Sequence, residues 1–281
     1  MPQLQNNNVK PFLKWAGGKR QLLQEILPKF PNEYDCYYEP FVGAGAVLFG
    51  AMPPKAVIND FNKDLITTYQ VIKDELELLL KLLKKHQELN SPEYYYSIRA
   101  FDRNVMEYEN SSSVEKAART IYLNRTCFNG LYRVNSKGYF NVPYGKYKNP
   151  QIVDENTLRA VSAYLNSNEI IIMCGDFADS LKSATQNDFV YFDPPYHTDT
   201  NLFTAYQAGG FGEEEQIRLR DLFADFASRG IRCLLSNSDT AFIRDIYKDF
   251  QIETVYANRM INSKPEGRGK ITEVLVKNWN S

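Results

Sequence analysis

At 281 residues, with 43% hydrophobic and 24% charged content, the chain has the composition of an ordinary globular protein. It has room for one α/β domain with an insertion, or for two domains, around a sizeable core. A net charge of −1 argues against a globally basic nucleic-acid binder, although the average conceals a local basic patch. Cys36, Cys127, Cys174 and Cys233 form no C-x-x-C pair, and His86 and His197 are the only histidines. No zinc site is therefore expected, and a reduced, cytoplasmic setting fits. The polar start, Met1 to Lys10, reads neither as a signal peptide nor as an anchor, and no apolar run reaches the length of a membrane span.

From Phe12 the chain runs Phe-Leu-Lys-Trp-Ala-Gly-Gly-Lys-Arg into an amphipathic stretch, Gln21 to Phe30, a Gly-rich loop opening a helix. It is not a Walker A loop, because the required earlier glycine is missing and Arg20 replaces the magnesium-holding Ser or Thr. Gly17-Gly18 at a helix start would leave bare N–H groups for a ligand carboxylate. Tyr37 to Phe41 reads as a strand entering Gly43-Ala44-Gly45 and the apolar run Ala46 to Phe49. Strand, Gly-x-Gly turn and helix make the first unit of a nucleotide-binding fold. Gly43 and Gly45 are expected to let backbone approach a ligand where a Cβ would clash. A second strand, Ala56 to Asn59, ends at Asp60, which could accept hydrogen bonds from ribose hydroxyls or cap the next helix. Together these elements favour an adenosine-containing cofactor.

Asn62 to His86 carries Leu65, Tyr69, Ile72, Leu76 and Leu79 or Leu80 at helical spacing and reads as one long helix. Helices are expected over Pro92 to Val105 and Val114 to Leu123, with a polar loop from Glu107 to Ser113, so a helical insertion interrupts the sheet. In Arg119 to Pro150, Arg119, Arg125, Arg133, Lys137, Lys146 and Lys148 meet no acid. Tyr122, Phe128, Tyr132, Tyr139, Phe140, Tyr144 and Tyr147 interleave with Asn124, Asn129, Asn135 and Asn141. Basic groups match phosphates, rings stack or wedge between bases, and Arg or Asn reads base edges. A solvated basic loop over core aromatics is the alternative. Asn129-Gly130 and Lys137-Gly138 are turn signals, so a hairpin-like projection is expected.

The sheet resumes with Glu169 to Cys174, followed by Gly175-Asp176-Phe177, a turn offering an acceptor and a ring. Phe189 to Asp193 is the next strand, Glu213 to Ser228 an amphipathic helix, and Arg232 to Asn237, Gln251 to Tyr256 and Thr272 to Lys277 complete seven strands. His197 to Gly212 is a Thr/Gly-rich loop placed to serve as a lid, and Arg259 to Lys270 is a second basic loop.

The decisive stretch is Val190-Tyr191-Phe192-Asp193-Pro194-Pro195-Tyr196. Its strand reads as buried on both faces, and two prolines then forbid helix or further strand. A spur is left carrying a carboxylate, a free carbonyl and a ring, at the end of a parallel strand, where such sheets bind ligands. An amine on an aromatic base is a poor nucleophile because its lone pair is delocalised. Acceptors aimed at its two N–H groups, Asp193 and the Pro194 carbonyl, would free that pair, and Tyr196 would stack on the base. A structural turn with a capping Asp is the plainer reading.

In order along the chain, Lys-Trp-Ala-Gly-Gly-Lys, Glu-Pro-Phe-Val-Gly-Ala-Gly, Asn-Asp, Phe-Asn-Gly-Leu-Tyr-Arg, Asn-Val-Pro-Tyr-Gly, Gly-Asp-Phe and Asp-Pro-Pro-Tyr resemble Dam-type DNA adenine methyltransferases. The motif order is that of the alpha group of amino-methyltransferases, and the match is especially close to the adenine methylases of DpnII-type restriction–modification systems. The resemblance implies methyl transfer from S-adenosylmethionine, without a metal, to N6 of adenine in duplex DNA, within 5′-GATC-3′ for the best-known members. It implies a Rossmann-like seven-stranded α/β sheet over residues 1–62 and 166–281, with an inserted helical DNA-recognition domain, 63–165, carrying a basic hairpin, 125–150. Asp193, Pro194, Pro195 and Tyr196 match the catalytic motif. Trp15, Ala16, Gly17 and Lys19 match cofactor positions, Asp60 the ribose acid, and Asp176 and Phe177 the adenine pair. Glu39, Pro40, Phe41, Gly43, Gly45 and Asp193 complete the expected cofactor site. Lys14, Phe128, Asn129, Leu131, Arg133, Pro143 and Tyr147 match DNA-contacting positions, and Arg125 and Asn135 are expected beside them. Some relatives carry tyrosine at Phe128, but ring insertion needs no hydroxyl. A cytoplasmic, nucleoid-associated monomer or weak dimer is expected, with a cognate restriction endonuclease acting in the same system without physical contact. A methylase of the cytosine amine, an RNA adenine methylase and a non-catalytic DNA-binding protein remain as alternatives.

Overall fold

All seven expected strands form, and they make a single sheet. The computed structural model describes residues 8–15, 17–198, 211–258 and 270–279. Its strands are β1 (Tyr37–Glu39), β2 (Lys55–Asp60), β3 (Glu169–Cys174), β4 (Phe189–Phe192), β5 (Arg232–Ser238), β6 (Gln251–Asn258) and β7 (Lys270–Lys277), in the order β3-β2-β1-β4-β5-β7-β6. β1 to β5 are parallel, with Tyr38 between Val57 and Val190, and β7 runs antiparallel between β5 and β6. This is a Rossmann-like α/β fold. The central β4 is covered on both faces, which is why Phe189 to Phe192 is apolar throughout. The strand order reverses between β1 and β4, so a crevice opens at the rim where the parallel strands end.

Helices cover both faces. α1 (Leu23–Ile26) is shorter than the amphipathic stretch around it, because Pro28 removes a backbone donor and leaves 27–29 as a 3-10 turn. α2 (Ala46–Ala51) follows Gly45 directly. The expected helix from Asn62 to His86 is two helices, α3 (Lys63–Asp74), capped by the Asn62 side chain, and α4 (Leu76–Leu89). They part at Glu75 (φ −132°), beside the Lys73 carbonyl, which accepts a 2.7 Å hydrogen bond from Asn166 in place of the next-turn N–H. α5 (Pro92–Ala100) ends short of Val105. α6 (Val105–Asn110) occupies part of the expected polar loop, because Asn104 caps it and Tyr108 packs edge-on against Phe101 at 5.7 Å. α7 (Ser113–Thr126) opens with a reciprocal Ser112–Glu115 capping box. α8 (Glu155–Ser167) was not anticipated, although an Asp154 cap and the spacing of buried Leu158, Val161 and Leu165 encode it. α9 (Glu213–Ser228) forms as expected, and α10 (Ala241–Ile246) follows β5.

Alternate strand residues divide between two cores. Tyr37, Ile58, Phe189 and Tyr191 share one with the helical insertion, down to Tyr95 and Tyr122. Tyr38, Val57, Val190 and Phe192 share the other with α9 and α10. Among the described residues no helix is long and apolar enough to cross a membrane. Of the expected lid and second basic loop, residues 199–210 and 259–269 lie outside the described residues, as does Ala16.

Candidate active site

At the end of β4, Asp193 meets Lys19 from the N-terminal loop, Nζ to Oδ1 at 2.8 Å. Ser236 Oγ donates to the same oxygen at 3.0 Å and shares a 2.8 Å hydrogen bond with the Tyr191 hydroxyl. Oδ2 of Asp193 has no partner among the described residues. Burial pushes the Asp193 carboxyl up, while Lys19 and then Ser236 draw it back down. Lys19 is 4% exposed. Its ammonium also donates to the Gly17 carbonyl at 2.7 Å and stands 4.4 Å from the centre of the Tyr196 ring. The Tyr196 hydroxyl donates to Glu273 Oε2 at 2.5 Å. Burial raises both of these groups, and Glu273 reaches this rim because it pairs with Ser238 at the end of β5.

The prolines are held from behind. Gln216 Nε2 donates to the Pro195 carbonyl at 2.8 Å, and Gln216 Oε1 accepts from Asn237 Nδ2 at 3.0 Å. Asn237 Oδ1 accepts from the His197 N–H at 3.3 Å. Gln216 and Asn237 are wholly buried, so this chain is shielded from water. The Pro195 carbonyl is thereby occupied, whereas that of Pro194 has no partner among the described residues.

A cavity of about 290 Å³ opens beside the spur. Trp15, Gly17, Phe41 and Asp60 line it, together with Phe61 and Asn62. Asp60 Oδ2 accepts from the Gly43 N–H at 3.0 Å and Oδ1 from the Asn62 N–H at 2.9 Å. Burial raises its carboxyl to about 6, against the backbone donors of Asn62, Gly43 and Phe61. The capping role weighed for Asp60 belongs instead to Asn62. Gly43 faces the cavity, but Gly45 does not. A Cβ at Gly45 would meet the Tyr69 hydroxyl at 2.6 Å and the Phe49 ring at 2.8 Å, so that glycine serves helix packing. Glu39 and Pro40 are also turned away: Glu39 is buried against the Tyr37 hydroxyl at 2.8 Å, and the Pro40 carbonyl accepts from Asn59. Asp176 and Phe177 stand beside the cavity rather than in its wall, the Phe177 ring 5.3 Å from Phe41. Lys19, expected beside a cofactor, lines the cavity and also reaches the spur acid.

The insertion presents a second surface. The hairpin is irregular, tied by isolated bridges Cys127–Tyr144 and Val134–Phe140. Phe128 is 51% and Leu131 40% exposed, beside exposed Lys14, Asn129, Arg133 and Pro143. Lys14 Nζ lies 5.4 Å from the Tyr147 ring centre. Gly130 has φ +65°, and a Cβ there would meet Lys14 Cδ at 2.3 Å, so glycine is required. Other members of the basic segment are turned inward. Arg119 is buried and paired with Asp102 at 2.7 Å, and Arg125 is half-buried, donating to the Phe12 carbonyl at 2.8 Å. Asn135 Oδ1 closes its own turn on the Lys137 and Tyr139 N–H groups.

The model of the D12 class N6 adenine-specific DNA methyltransferases matches residues 15–261. The chain belongs to this family. It is 50% identical to "Type II methyltransferase M1.LlaDCHI" of Lactococcus lactis subsp. cremoris, over 100% of both chains. It is 42% identical to "Type II methyltransferase M.MjaIII" of Methanocaldococcus jannaschii, covering 96% of this chain and 99% of that one. With "DNA adenine methylase" of Haemophilus influenzae the identity is 37%, over 95% and 93%. The protein is thus an adenine-specific DNA methyltransferase, and the cytosine, RNA and non-catalytic alternatives fall away.

Several residues of the methyltransferase site escaped the reading of its sequence. Phe61, 59% exposed at the cavity, directly follows the strand-end acid, which was a usable signal. Ser236 and Asn237 follow the apolar run Cys233 to Leu235 of β5 and are buried, as polar groups with a partner to serve are. Nothing local marks Gln216 or Glu273, which matter only through distant residues. Among the described residues no group of three His, Cys, Asp or Glu side chains could hold a metal ion.

Proposed function

We propose that this methyltransferase takes its methyl group from S-adenosylmethionine and places it on N6 of adenine within 5′-GATC-3′ in duplex DNA, after turning the base out of the stack. The observation that carries the reading is the pair of unengaged acceptors, Asp193 Oδ2 and the Pro194 carbonyl, at the wall of a cavity shared with Asp60. The residues present fit the cofactor. Asp60 would accept from ribose hydroxyls, and the Trp15, Phe41 and Phe61 rings offer apolar walls for adenosine. S-adenosylmethionine, when bound, supplies an electrophilic methyl group on a sulfonium.

Asp193 and Pro194 would accept the two N–H groups of adenine N6 and so localise its lone pair for direct in-line attack. No cysteine lines the cavity, as a covalent route through the base ring would need. Tyr196 would stack on the flipped base. Unstacking costs a few kcal/mol, which the exposed Phe128 ring would offset by filling the gap. Arg133 would fork onto a guanine. We assign residues 1–62 and 166–281 to catalysis and 63–165 to target recognition, acting in the cytoplasm where duplex DNA is available. The relatives named type II methyltransferases support a role beside an endonuclease cutting the same site.

The test is tritiated methyl transfer from S-adenosylmethionine to a GATC duplex and to a scrambled one. Label in the first alone, recovered as N6-methyladenine, is expected. Equal label in both would remove the sequence assignment, and no label in either would remove the donor or the site.

A further inference from the structure

Building on the reading that Tyr196 stacks on the turned-out base, we propose that Glu273 on β7 is a positioning residue of the transfer, holding the Tyr196 ring in place before the base arrives. Tyr196 follows two prolines, and its backbone is braced through the Pro195 carbonyl, which accepts from Gln216 at 2.8 Å. That brace leaves the side chain its own rotamers. Two contacts remove this freedom. The hydroxyl donates to Glu273 Oε2 at 2.5 Å, and the Lys19 ammonium stands over the ring, 4.4 Å from its centre. A charge-assisted bond at the far end of the ring and a cation over its face together set both its direction and its plane. The ring lines the cavity, whereas Glu273 stands outside the wall and acts through Tyr196.

The strand gives no other reason for an acid at this position. Glu273 pairs with Ser238 of β5 and Val255 of β6, and Val274, Leu275 and Val276 after it are all buried. Strand interiors disfavour glutamate. Desolvation pushes this carboxyl up, a cost that an apolar residue there would avoid. Alternation puts Glu273 on the face of Leu275, the one shared with the helical insertion, which delivers its carboxylate to the spur. Among the described residues its one hydrogen-bond partner is the Tyr196 hydroxyl. Extruding a base costs free energy. A ring that is already oriented offsets that cost by stacking, with no further ordering of its own.

The experiment measures single-turnover methylation rates, which report flipping and transfer rather than product release, together with the dissociation constant of S-adenosylmethionine. The full chain is compared as wild type, Glu273→Ala, Glu273→Gln, Tyr196→Phe, the Glu273→Ala/Tyr196→Phe double variant and Tyr196→Ala. The target adenine is either paired or placed opposite an abasic site. Glu273→Ala and Tyr196→Phe should each slow the paired target about tenfold, part of what a whole base–ring stack contributes, with cofactor affinity unchanged. The double variant should be no slower than either single one, because both remove the same bond. Glu273→Gln should recover most of the loss, since its amide oxygen accepts the same hydroxyl. Opposite the abasic site, where extrusion takes less free energy, the Glu273→Ala loss should shrink to about twofold. Additive losses in the double variant, Glu273→Gln as slow as Glu273→Ala, or equal losses on the two duplexes would each overturn the proposal. So would wild-type rates in Tyr196→Phe, which removes the bond with Glu273 in place and so decides the matter should Glu273→Ala fail to fold. Wild-type rates in Tyr196→Ala would instead overturn the stacking reading itself.

Discussion

Lys19 and Asp193 stand at opposite ends of the sequence motif order, yet their charged atoms are 2.8 Å apart beneath the rim of the sheet. Lys19 opposes the rise that desolvation imposes on the Asp193 carboxyl. Lys19→Gln removes the opposing charge, so Asp193 should protonate at higher pH. We expect the acidic limb of the methylation pH–rate profile to move to higher pH, with activity lost first at its acid end. An acidic limb that stays in place would show that Lys19 acts otherwise.

Asp60 gives the fold its own pH signature. Its carboxyl is raised from 3.8 to about 6, so between those values the folded chain holds a proton that the unfolded chain has released. Its stabilising contribution is therefore complete below about pH 4 and lost as pH rises through about 6. The amount is at most about 3 kcal/mol, and less because Asp60 borders an open cavity. Melting of the cofactor-free protein from pH 4 to 7 should show this decline, and Asp60→Asn should flatten it. Cofactor affinity should rise across the same window, because an ionised acid is the stronger acceptor for ribose hydroxyls.

Gln216 is a test of positioning. Gln216→Met conserves volume but abolishes both hydrogen bonds of the buried bridge from Asn237 to the Pro195 carbonyl. With the spur unbraced, kcat should fall about tenfold to a hundredfold, given how steeply catalysis depends on geometry, while KM for DNA and cofactor changes little. A matching rise in KM with kcat preserved would refute the role.

Phe61 offers an exposed ring to the cavity. An aromatic that stacks on a base is worth about 1–3 kcal/mol, so Phe61→Ala should weaken cofactor binding about tenfold or more. Because the ring is 59% exposed, the melting temperature should barely move. Titration of cofactor against the two proteins decides it.

Arg133 is exposed, and its Nε already donates to Asn141 Oδ1 at 2.7 Å, which orients the guanidinium from the hairpin. Arg133→Ala should cost about 1–3 kcal/mol of discrimination, seen as a narrowed ratio of methylation between GATC and single-substitution duplexes. A uniform loss across all duplexes would make Arg133 a phosphate contact instead.

The sequence by itself determined the seven strands and the rim acids Asp60 and Asp193. These are local properties: apolar runs long enough for buried strands, acids and prolines at their ends, and glycines where a backbone must turn. The break at Glu75 was not legible, because the apolar spacing continues across it and only the distant Asn166 interrupts the helix. The division of the basic segment was equally hidden. Arg119, Arg125 and Arg133 look alike in sequence, but Asp102 and the Phe12 carbonyl claim the first two. Tertiary structure alone brought Lys19, Ser236, Gln216 and Glu273 to the spur. Each hydrogen bond or ion pair there joins segments far apart in the chain, so no periodicity or spacing could carry it, and only the crossing of β4, β5, β7 and α9 at one rim decides it.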